Sequence, residues 1–403
     1  MGPDTPLRVL YAPAETHPSF RADVAVLFGK YLPRLGVHSD LLTLHAVDPV
    51  PPWGGGECLT RLGPPRGARR HLLSVLNDVR MLWLARRGYR CVIVRDKSLG
   101  ALLGLVAARL AGIPFVYWMS FPMVEAWAVF ARERRHEVGW SRWLAAKWRA
   151  TVLRRLLYRV VLPRARHVFV QSDTMLAEMA SKGFDPARMS AVPMGIDTEA
   201  LPRSAPLADQ TASPHESIAP TFVYLGTLNR LRQPELMIDA LAILRSRGVS
   251  ARLLLIGDAE EAADRQWLRD RVKQRGLDSW VEFTGWLPAL EAQGRGAAAV
   301  AGLSAIPRSE ILEVSSPTKA VEYFHLGLPV IANDQPDQAA VMAAAGGVCA
   351  PLTAEGFADA MQDVLERPEH HRHIAQRGQE WVRQERSYAV LAERVAGRLR
   401  ACL

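Results

Sequence analysis

Short apolar runs alternate with longer amphipathic stretches along nearly the whole chain. The runs are apolar at consecutive positions, as in parallel strands buried on both faces, and the longer stretches have helical spacing. In the first half, the predicted strands are Leu7–Pro13, Val37–Leu44, Cys91–Arg95, Pro114–Trp118, His167–Gln171 and Ser190–Pro193. The predicted helices are Ala22–Leu35, Leu72–Arg87, Leu99–Ala111 and Thr174–Lys182. Repeated strand–helix units predict an open, doubly wound sheet.

A proline-rich segment, residues 201–220, interrupts this alternation and predicts a linker. Beyond it, the predicted strands are Thr221–Leu225, Arg252–Ile256, Val281–Thr284, Val300–Ile306 and Pro329–Ala332. The predicted helices are Pro234–Ser246, Ala262–Arg275, Pro317–Leu326, Gln335–Ala345 and most of Phe357–Cys402. The pattern therefore predicts an α/β protein with two Rossmann-like domains, residues 1–200 and 221–385, that face a cleft.

One stretch of the first half has a different pattern. Apolar residues recur at every fourth position from 140 to 160. The chain has a formal net charge of +9, and eleven basic against two acidic residues between Arg132 and Arg166 account for all of it. Four of the eleven tryptophans, Trp127, Trp140, Trp143 and Trp148, lie in residues 127–166.

Three interpretations fit this basic, tryptophan-rich segment. Tryptophan and arginine on one amphipathic helix are typical of a helix at an anionic membrane surface. A core helix with solvated arginines explains the same pattern. Nucleic acid would also suit the charge, but no nucleic-acid-binding signature accompanies it, so we expect no nucleic-acid partner.

Composition narrows the class further. The chain has 403 residues, 49% of them apolar, which excludes a disordered protein and allows two or three domains. Its four cysteines are far apart, which predicts reduced thiols and a cytoplasmic protein. We expect no secretory signal in residues 1–15 and no membrane span in Ala101–Met119, which Arg109 and Pro114 interrupt.

The strongest candidate for chemistry is the segment from Ser315 to Tyr323. Ser316 suits an N-cap and Pro317 the first helical position, so the spacing predicts a helix that begins there. Free N–H groups at such a start, together with Lys319, would bind phosphate, and Glu322 could accept hydrogen bonds from two vicinal hydroxyls. A capped surface helix with an i,i+3 ion pair explains the same residues.

A second candidate is the loop Gly226–Arg232, which follows a predicted strand. Glycine permits close approach of a ligand to the backbone, and the guanidinium groups of Arg230 and Arg232 suit a diphosphate. On its own this signal is weak, because glycine often follows a first strand.

In combination and order, these segments resemble the retaining GT-B-fold glycosyltransferases of family 4. The segments that carry the resemblance are Phe169–Ser172, Val192–Asp197, Gly226–Arg232, Phe283–Trp286, Ser316–Tyr323 and Gly327–Val330. The resemblance assigns donor binding to Gly226, Thr227, Arg230, Arg232, Gly285, Trp286, Ser315, Ser316, Thr318, Lys319 and Glu322. It also implies that the last helix, residues 386–403, returns toward the first domain.

The resemblance implies that a sugar is transferred from a nucleotide-diphosphate donor with retention of configuration. It implies no cofactor and no metal, because helix N-termini, arginine and lysine neutralise the diphosphate. Its partners would be the nucleotide sugar and a saccharide or lipid-linked acceptor. The basic segment would add a peripheral contact with the inner face of the cytoplasmic membrane.

The chain departs from the family pattern at several positions. Val314 stands where a first glutamate is usual, and Ser120 stands near the position of a usual histidine. We therefore name His17, Arg21 and Glu125 as candidate catalytic residues on the acceptor side, although each could be structural.

The departures leave two alternatives to a transferase: a nucleotide-sugar-binding partner without catalysis and a sugar-nucleotide epimerase on the same fold. A dehydrogenase is disfavoured, because no G-x-G-x-x-G follows the first strand.

Overall fold

The computed structural model describes residues 6–45, 47–64, 67–133, 139–200, 219–259 and 261–403. The chain divides into two compact units, Met1–Gly195 with Tyr388–Leu403, and Ile196–Ser387. Most of the predicted linker, residues 201–218, lies outside the described residues.

The first unit contains a six-stranded parallel sheet in the order β2-β1-β5-β6-β7-β8, and a short parallel pair, β3-β4. The strands are β1 Leu7–Pro13, β2 Val37–Leu41, β3 Leu44–His45, β4 Arg61–Leu62, β5 Cys91–Arg95, β6 Phe115–Met119, β7 His167–Val170 and β8 Met189–Ala191. The strand order reverses between β1 and β5, which makes the carboxyl ends of these two strands the topological switch point.

Helices connect these strands. They are α1 Ala22–Ala25, α2 Leu32–Arg34, α3 Ala68–Asp78, α4 Met81–Leu84, α5 Ser98–Ala111, α6 Met123–Glu133, α7 Trp140–Trp148, α8 Arg154–Leu156 and α9 Asp173–Ser181. Three π-helical turns, Leu27–Tyr31, Arg149–Leu153 and Leu157–Val161, and two 3-10 turns, Leu162–Arg164 and Pro186–Arg188, complete the described helical segments. Ser172 caps α9 by accepting a hydrogen bond from the Met175 N–H at 3.0 Å.

The second unit contains another six-stranded parallel sheet, in the order β11-β10-β9-β12-β13-β14. Its strands are β9 Thr221–Leu225, β10 Arg252–Ile256, β11 Val281–Gly285, β12 Ala301–Ser304, β13 Val330–Ala332 and β14 Val348–Cys349. Its helices are α10 Glu235–Ser246, α11 Ala262–Gln274, α12 Ala289–Gly296, α13 Lys319–His325, α14 Pro336–Ala345, α15 Ala354–Glu366 and α16 Pro368–Glu385. Here the order reverses between β9 and β12.

The last helix, α17 Tyr388–Ala401, belongs to the first unit. Its buried face, which includes Tyr388, Leu391 and Leu399, is part of the core that covers one face of the first sheet. The core therefore joins residues from both ends of the chain.

Some predicted boundaries were wrong. The strand predicted as Val37–Leu44 ends at Leu41, and the helix predicted as Leu72–Arg87 is divided into α3 and α4. Helix α12 and strand β14 had not been predicted.

Candidate active site

Three glycines end neighbouring strands of the second unit: Gly226 after β9, Gly257 after β10 and Gly285 in β11. All have left-handed backbone, with φ of +151°, +137° and +72°. The Gly226 N–H donates to the Ile256 carbonyl at 2.9 Å, and the Gly257 N–H donates to the Gly285 carbonyl at 3.1 Å. A Cβ on Gly257 would lie 2.0 Å from the Gly226 oxygen. The three form a side-chain-free glycine floor that a ligand can approach closely.

Helix α13 begins at Lys319, two residues later than the predicted start at Pro317. The Ser316 hydroxyl donates to the Asp337 carboxylate at 2.7 Å and does not cap the helix, and the N-cap position falls to Thr318. The prediction failed because a long-range hydrogen bond competes with the local capping bond.

Tyr323 fixes α13 across the strands where the sheet order reverses. Its hydroxyl accepts from the Leu225 N–H at 2.8 Å and donates to the Leu303 carbonyl at 3.3 Å, which joins the helix to β9 and β12. Its ring lies against Gly302, where a Cβ would come within 2.2 Å of a ring atom. The motif contained Tyr323, but the sequence analysis gave it no role. The signal was a glycine inside a predicted strand.

Lys319, Thr318 and Glu322 form one polar group beside the glycine floor. The Lys319 side chain lies along Gly226, and its Nζ is 5.1 Å from the centre of the Tyr224 ring. Burial raises the pKa of Glu322, while the Lys319 charge and a hydrogen bond with Thr318 oppose that rise. A buried carboxylate beside a lysine can accept hydrogen bonds from hydroxyls and keep its charge.

The two arginines of the diphosphate-type loop have different surroundings. The Arg230 guanidinium is 3.1 Å from the Asp264 carboxylate and lies over the Trp267 ring, so it contacts α11. Arg232 is half-buried in the same 3-10 turn, Arg230–Arg232.

Thr227 is exposed in this loop, and its carbonyl accepts from the Tyr224 hydroxyl at 3.4 Å. Trp286, directly after Gly285, is 68% exposed. The remaining predicted donor residue, Ser315, uses its hydroxyl to donate to the Leu312 carbonyl at 2.8 Å.

The turn before α13 is held by residues that the sequence analysis missed. The Gln335 amide donates to the carbonyls of Leu312, Glu313 and Ser315 at 2.8, 3.2 and 2.9 Å. Asp337 accepts from Arg386 at 2.8 Å, where both side chains are nearly buried. No local spacing marks these contacts, because their partners lie far away in the chain.

In the first unit, a strand-end cluster surrounds the carboxyl ends of β1, β5 and β6, and consists of Glu15, Asp23, Arg95, Asp96 and Ser120. Fully buried Arg95 pairs with Glu15 and with Asp23, the latter at 2.6 Å, and donates to the Ser120 hydroxyl at 2.6 Å. The Ser120 N–H donates to Asp96 at 2.9 Å. Burial lowers the pKa of Arg95, but the carboxylates of Asp23 and Asp96 hold it above its ordinary value.

The three candidate catalytic residues do not share one set of neighbours. Arg21 contacts the strand-end cluster, with its guanidinium 3.4 Å from both Asp23 and the Ser120 hydroxyl. His17 is buried, and its Nε2 is 2.8 Å from the Pro51 carbonyl. Glu125 accepts from the Tyr158 hydroxyl at 2.7 Å and lies 3.9 Å from Lys182. Their catalytic roles stay predictions.

The described residues include no group of three or more His, Cys, Asp or Glu side chains arranged to hold a metal ion. Independence of metal stays a prediction. Among these residues, no helix has both the length and the apolar character of a membrane span.

Known proteins with similar sequences are glycosyltransferases. Over 189 residues the chain is 28% identical to a GDP-mannose-dependent alpha-(1-6)-phosphatidylinositol dimannoside mannosyltransferase of Mycobacterium tuberculosis, and the alignment covers 45% of each protein. The chain thus matches less than half the length of that relative. It is 27% identical over 399 residues to the corresponding monomannoside mannosyltransferase of the same organism, covering 95% of this chain and 96% of the relative.

Among solved structures, Anabaena Alr3699/HepE in complex with UDP and glucose matches 98% of this chain and 100% of its own, with a TM-score of 0.70 and 16% identity. That likeness establishes the fold, which is GT-B. Family models match both halves of the chain, Glycosyltransferase Family 4 over residues 23–200 and Glycosyl transferases group 1 over residues 219–367. The two parallel sheets, the order of the motifs and these two matches together show that the chain belongs to the GT-B glycosyltransferases of family 4 and group 1.

Proposed function

We propose that this protein is a metal-independent, retaining glycosyltransferase that transfers a hexose from a nucleotide-diphosphate sugar to a lipid-linked or envelope saccharide. The observation that carries the proposal is the glycine floor flanked by Lys319, Thr318 and Glu322 at the switch point of the second sheet. The names of the mycobacterial relatives favour GDP-mannose as the donor.

The residues of the second unit have defined tasks in this proposal. The floor lets the diphosphate approach the backbone, Lys319 and Arg232 offset its charge, and Glu322 accepts hydrogen bonds from the ribose hydroxyls. The bond between the sugar C1 and the diphosphate oxygen breaks, and a bond from C1 to the acceptor oxygen forms on the same face. The acceptor's hydroxyl proton passes to the departing diphosphate. The protein therefore contributes position and charge rather than a nucleophile.

The first test is a thermal-shift panel of UDP, GDP and ADP with their sugar conjugates. A ligand at 100 times its Kd adds ~2.7 kcal/mol to stability, and each kcal/mol raises the midpoint by ~2–4 °C in a domain of roughly 150–250 residues. We expect one nucleotide series, GDP, to shift the wild type and to fail with Glu322→Ala. Glu366→Ala, an exposed change on α15, is the control that keeps the shift. The absence of a shift with every nucleotide would overturn the proposal.

The retaining mechanism and the metal independence have separate tests. We expect the product anomer, assigned by NMR, to match the donor anomer, and transfer to continue in excess EDTA. An inverted product or a loss of transfer in EDTA would contradict the respective point.

One observation favours the alternative of a binding partner without catalysis. Val314, at the position of the usual first glutamate, is buried at 4% exposure, and the nearby Glu313 pairs with Arg308. Tight nucleotide-sugar binding without turnover on any acceptor would support this alternative. Interconversion of the donor sugar without an acceptor would instead indicate an epimerase.

We also propose that the enzyme works at the cytoplasmic face of an anionic membrane and binds it through the helical segment 140–160. An apolar stripe of Trp140, Leu144, Trp148 and Val152 is exposed along this segment, with Trp140 at 72% and Trp148 at 54%. Exposed basic side chains accompany it: Lys147, Arg154, Arg155 and Arg159. Exposed tryptophan beside arginine favours a membrane over a core position.

The π turns explain why this stripe stays on one side of the segment. On a regular α-helix, a four-residue repeat drifts by about 40° at each step, so the stripe would wind around the axis. The π turns Arg149–Leu153 and Leu157–Val161 rotate less per residue and offset the drift. The stripe is thus straight enough to lie on a flat surface.

A further inference from the structure

The switch point of the first sheet carries a second set of polar groups, the strand-end cluster. Its position is equivalent to that of the donor residues in the second sheet, since ligands of open α/β sheets bind at the carboxyl ends of strands where the order reverses. Pro13, at the end of β1, pairs with Arg95 of β5, and Arg95 pairs with Trp118 of β6. Glu15, Asp96 and Ser120 follow these three strands directly.

The cluster contains buried polar atoms that have no hydrogen-bond partner among the described residues. They are the Tyr11 hydroxyl, the Arg95 Nε and the Glu15 Oε2. Tyr11 and Arg95 are both fully buried, and Tyr11 feels the charges of Arg95, Glu15 and Asp96. A buried polar group that lacks a partner is costly, so two donors and one acceptor in one place indicate that a polar ligand completes them.

The backbone at the cluster is also unusual. Asp96 has φ +54°, a left-handed conformation that is rare for residues other than glycine and that concentrates at functional sites. This conformation lets the Asp96 carboxylate accept from both the N–H and the hydroxyl of Ser120. The carboxylate is thereby fixed at the end of β5.

An exposed aromatic ring lies in the loop between β1 and α1. Phe20 is 95% exposed, and its neighbour Arg21 contacts both Asp23 and Ser120 of the cluster. A flat apolar ring beside carboxylates and a guanidinium suits a ligand that has one apolar face and hydroxyls at its edge. A sugar ring has both features.

The charge of the cluster separates a neutral ligand from an anionic one. The carboxylates of Glu15, Asp23 and Asp96 outnumber the guanidinium groups of Arg95 and Arg21. A phosphate would be repelled by this excess of negative charge, whereas hydroxyls donate hydrogen bonds to carboxylates.

We propose that the strand-end cluster binds the acceptor by an uncharged sugar, with Glu15 and Asp96 accepting hydrogen bonds from its hydroxyls and Phe20 covering one face of its ring. This inference rests on the proposed function, because it names the acceptor of the same reaction. Phosphate groups of the acceptor lie outside this cluster.

The test measures transfer from the donor that the thermal-shift panel identifies to octyl mannoside, octyl glucoside and octyl galactoside, and to a phosphate-terminated octyl mannoside. We expect the wild type to use at least one neutral glycoside and not the phosphorylated one. Glu15→Gln, Asp96→Asn and Phe20→Ala should each raise KM for that glycoside by about 10- to 100-fold. The Kd of the nucleotide should stay unchanged in each variant.

Two controls separate positioning from misfolding. Asp239→Asn removes a carboxylate paired with Arg271 and Arg275 in the second unit, and Trp83→Ala removes another exposed aromatic ring. Both should keep the wild-type KM. Because Phe20 is almost fully exposed, its substitution tests the inference even where Glu15→Gln fails to fold.

The outcomes of this experiment are distinct from those of the proposed function. Nucleotide binding is measured first, and its absence would be a failure of the proposed function. Given a bound donor, an unchanged KM in Glu15→Gln and Phe20→Ala would overturn the inference. So would transfer to the phosphorylated glycoside alone or to no glycoside at all.

Discussion

At the scale of single residues, Gly257 makes the closest demand on the backbone of the candidate donor site. A side chain there would collide with the Gly226 carbonyl, at 2.0 Å, in a conformation with φ +137°. We expect Gly257→Ala to lower the free energy of unfolding by roughly 2–4 kcal/mol and to weaken nucleotide binding, because the floor must move. Urea unfolding and nucleotide titration measure the two effects.

Gly294 in α12 is the matched control for this substitution. A Cβ at Gly294 would meet no atom within 4 Å, so Gly294→Ala should be neutral or stabilise the helix by up to ~1 kcal/mol. If the two alanine variants were equally stable, the account of the glycine floor would be incorrect.

A buried histidine makes the first unit sensitive to acid. Burial, together with Arg398 and Arg188, lowers the pKa of His167 to about 4. The unfolded chain binds the proton near pH 6.5, so the stabilising effect of neutral His167 is complete above that pH and is lost as the pH falls toward 4. At pH 4 the loss reaches ~3 kcal/mol.

We therefore expect His167→Gln to flatten the decline of stability between pH 6.5 and 4. Glutamine can keep the hydrogen bond to the Ser190 hydroxyl, which is 3.0 Å from His167 Nε2. The measurement is the unfolding midpoint across this pH range, with the exposed His370→Gln as control. Parallel curves for wild type and His167→Gln would argue against this origin of acid sensitivity.

At the scale of elements, the apolar stripe of segment 140–160 makes a prediction about membranes. Trp148→Ala should weaken binding to vesicles of anionic phospholipid by about 10-fold or more, because it removes a large exposed ring from the proposed contact. Trp83→Ala, a tryptophan with 58% exposure on α4, should bind like the wild type. Co-sedimentation at low and high salt measures both, and equal losses in the two variants would refute a contact specific to the stripe.

The elements also show how far sequence patterns reach. Consecutive apolar runs predicted β1, β5, β9 and β10 with their observed bounds, since strands buried on both faces leave a local signal. Helix α12 and strand β14 were missed because one is rich in glycine and alanine and the other has two residues.

The candidate site was predictable where it depends on local motifs. Lys319 and Glu322 could be named because they lie in one short segment, and the resemblance placed that segment at the donor. Arg386 and Gln335 could not be named, because each acts on a turn distant in the chain and no spacing records that contact. The same reason explains the late start of α13.

At the scale of the whole molecule, the chain completes its first unit only with its last helix. Leu391 of α17 is 1% exposed and packs in the core beneath the first sheet, far from the second unit's donor residues in sequence. We expect Leu391→Ala to lower the stability of the first unit by about 2–5 kcal/mol, the usual cost of such a cavity. Glu393→Ala, on the exposed side of α17, should have little effect.

Because the donor residues all belong to the second unit, nucleotide affinity should be the same in Leu391→Ala and in the wild type. Calorimetry with and without the nucleotide distinguishes the effects: the substitution lowers one unfolding transition, and the ligand raises the other. A loss of nucleotide binding in Leu391→Ala would mean that the second unit depends on the core of the first, so that the two cannot be treated as separate folding units. Unchanged affinity at reduced stability would place the binding energy of the donor wholly within Ile196–Ser387.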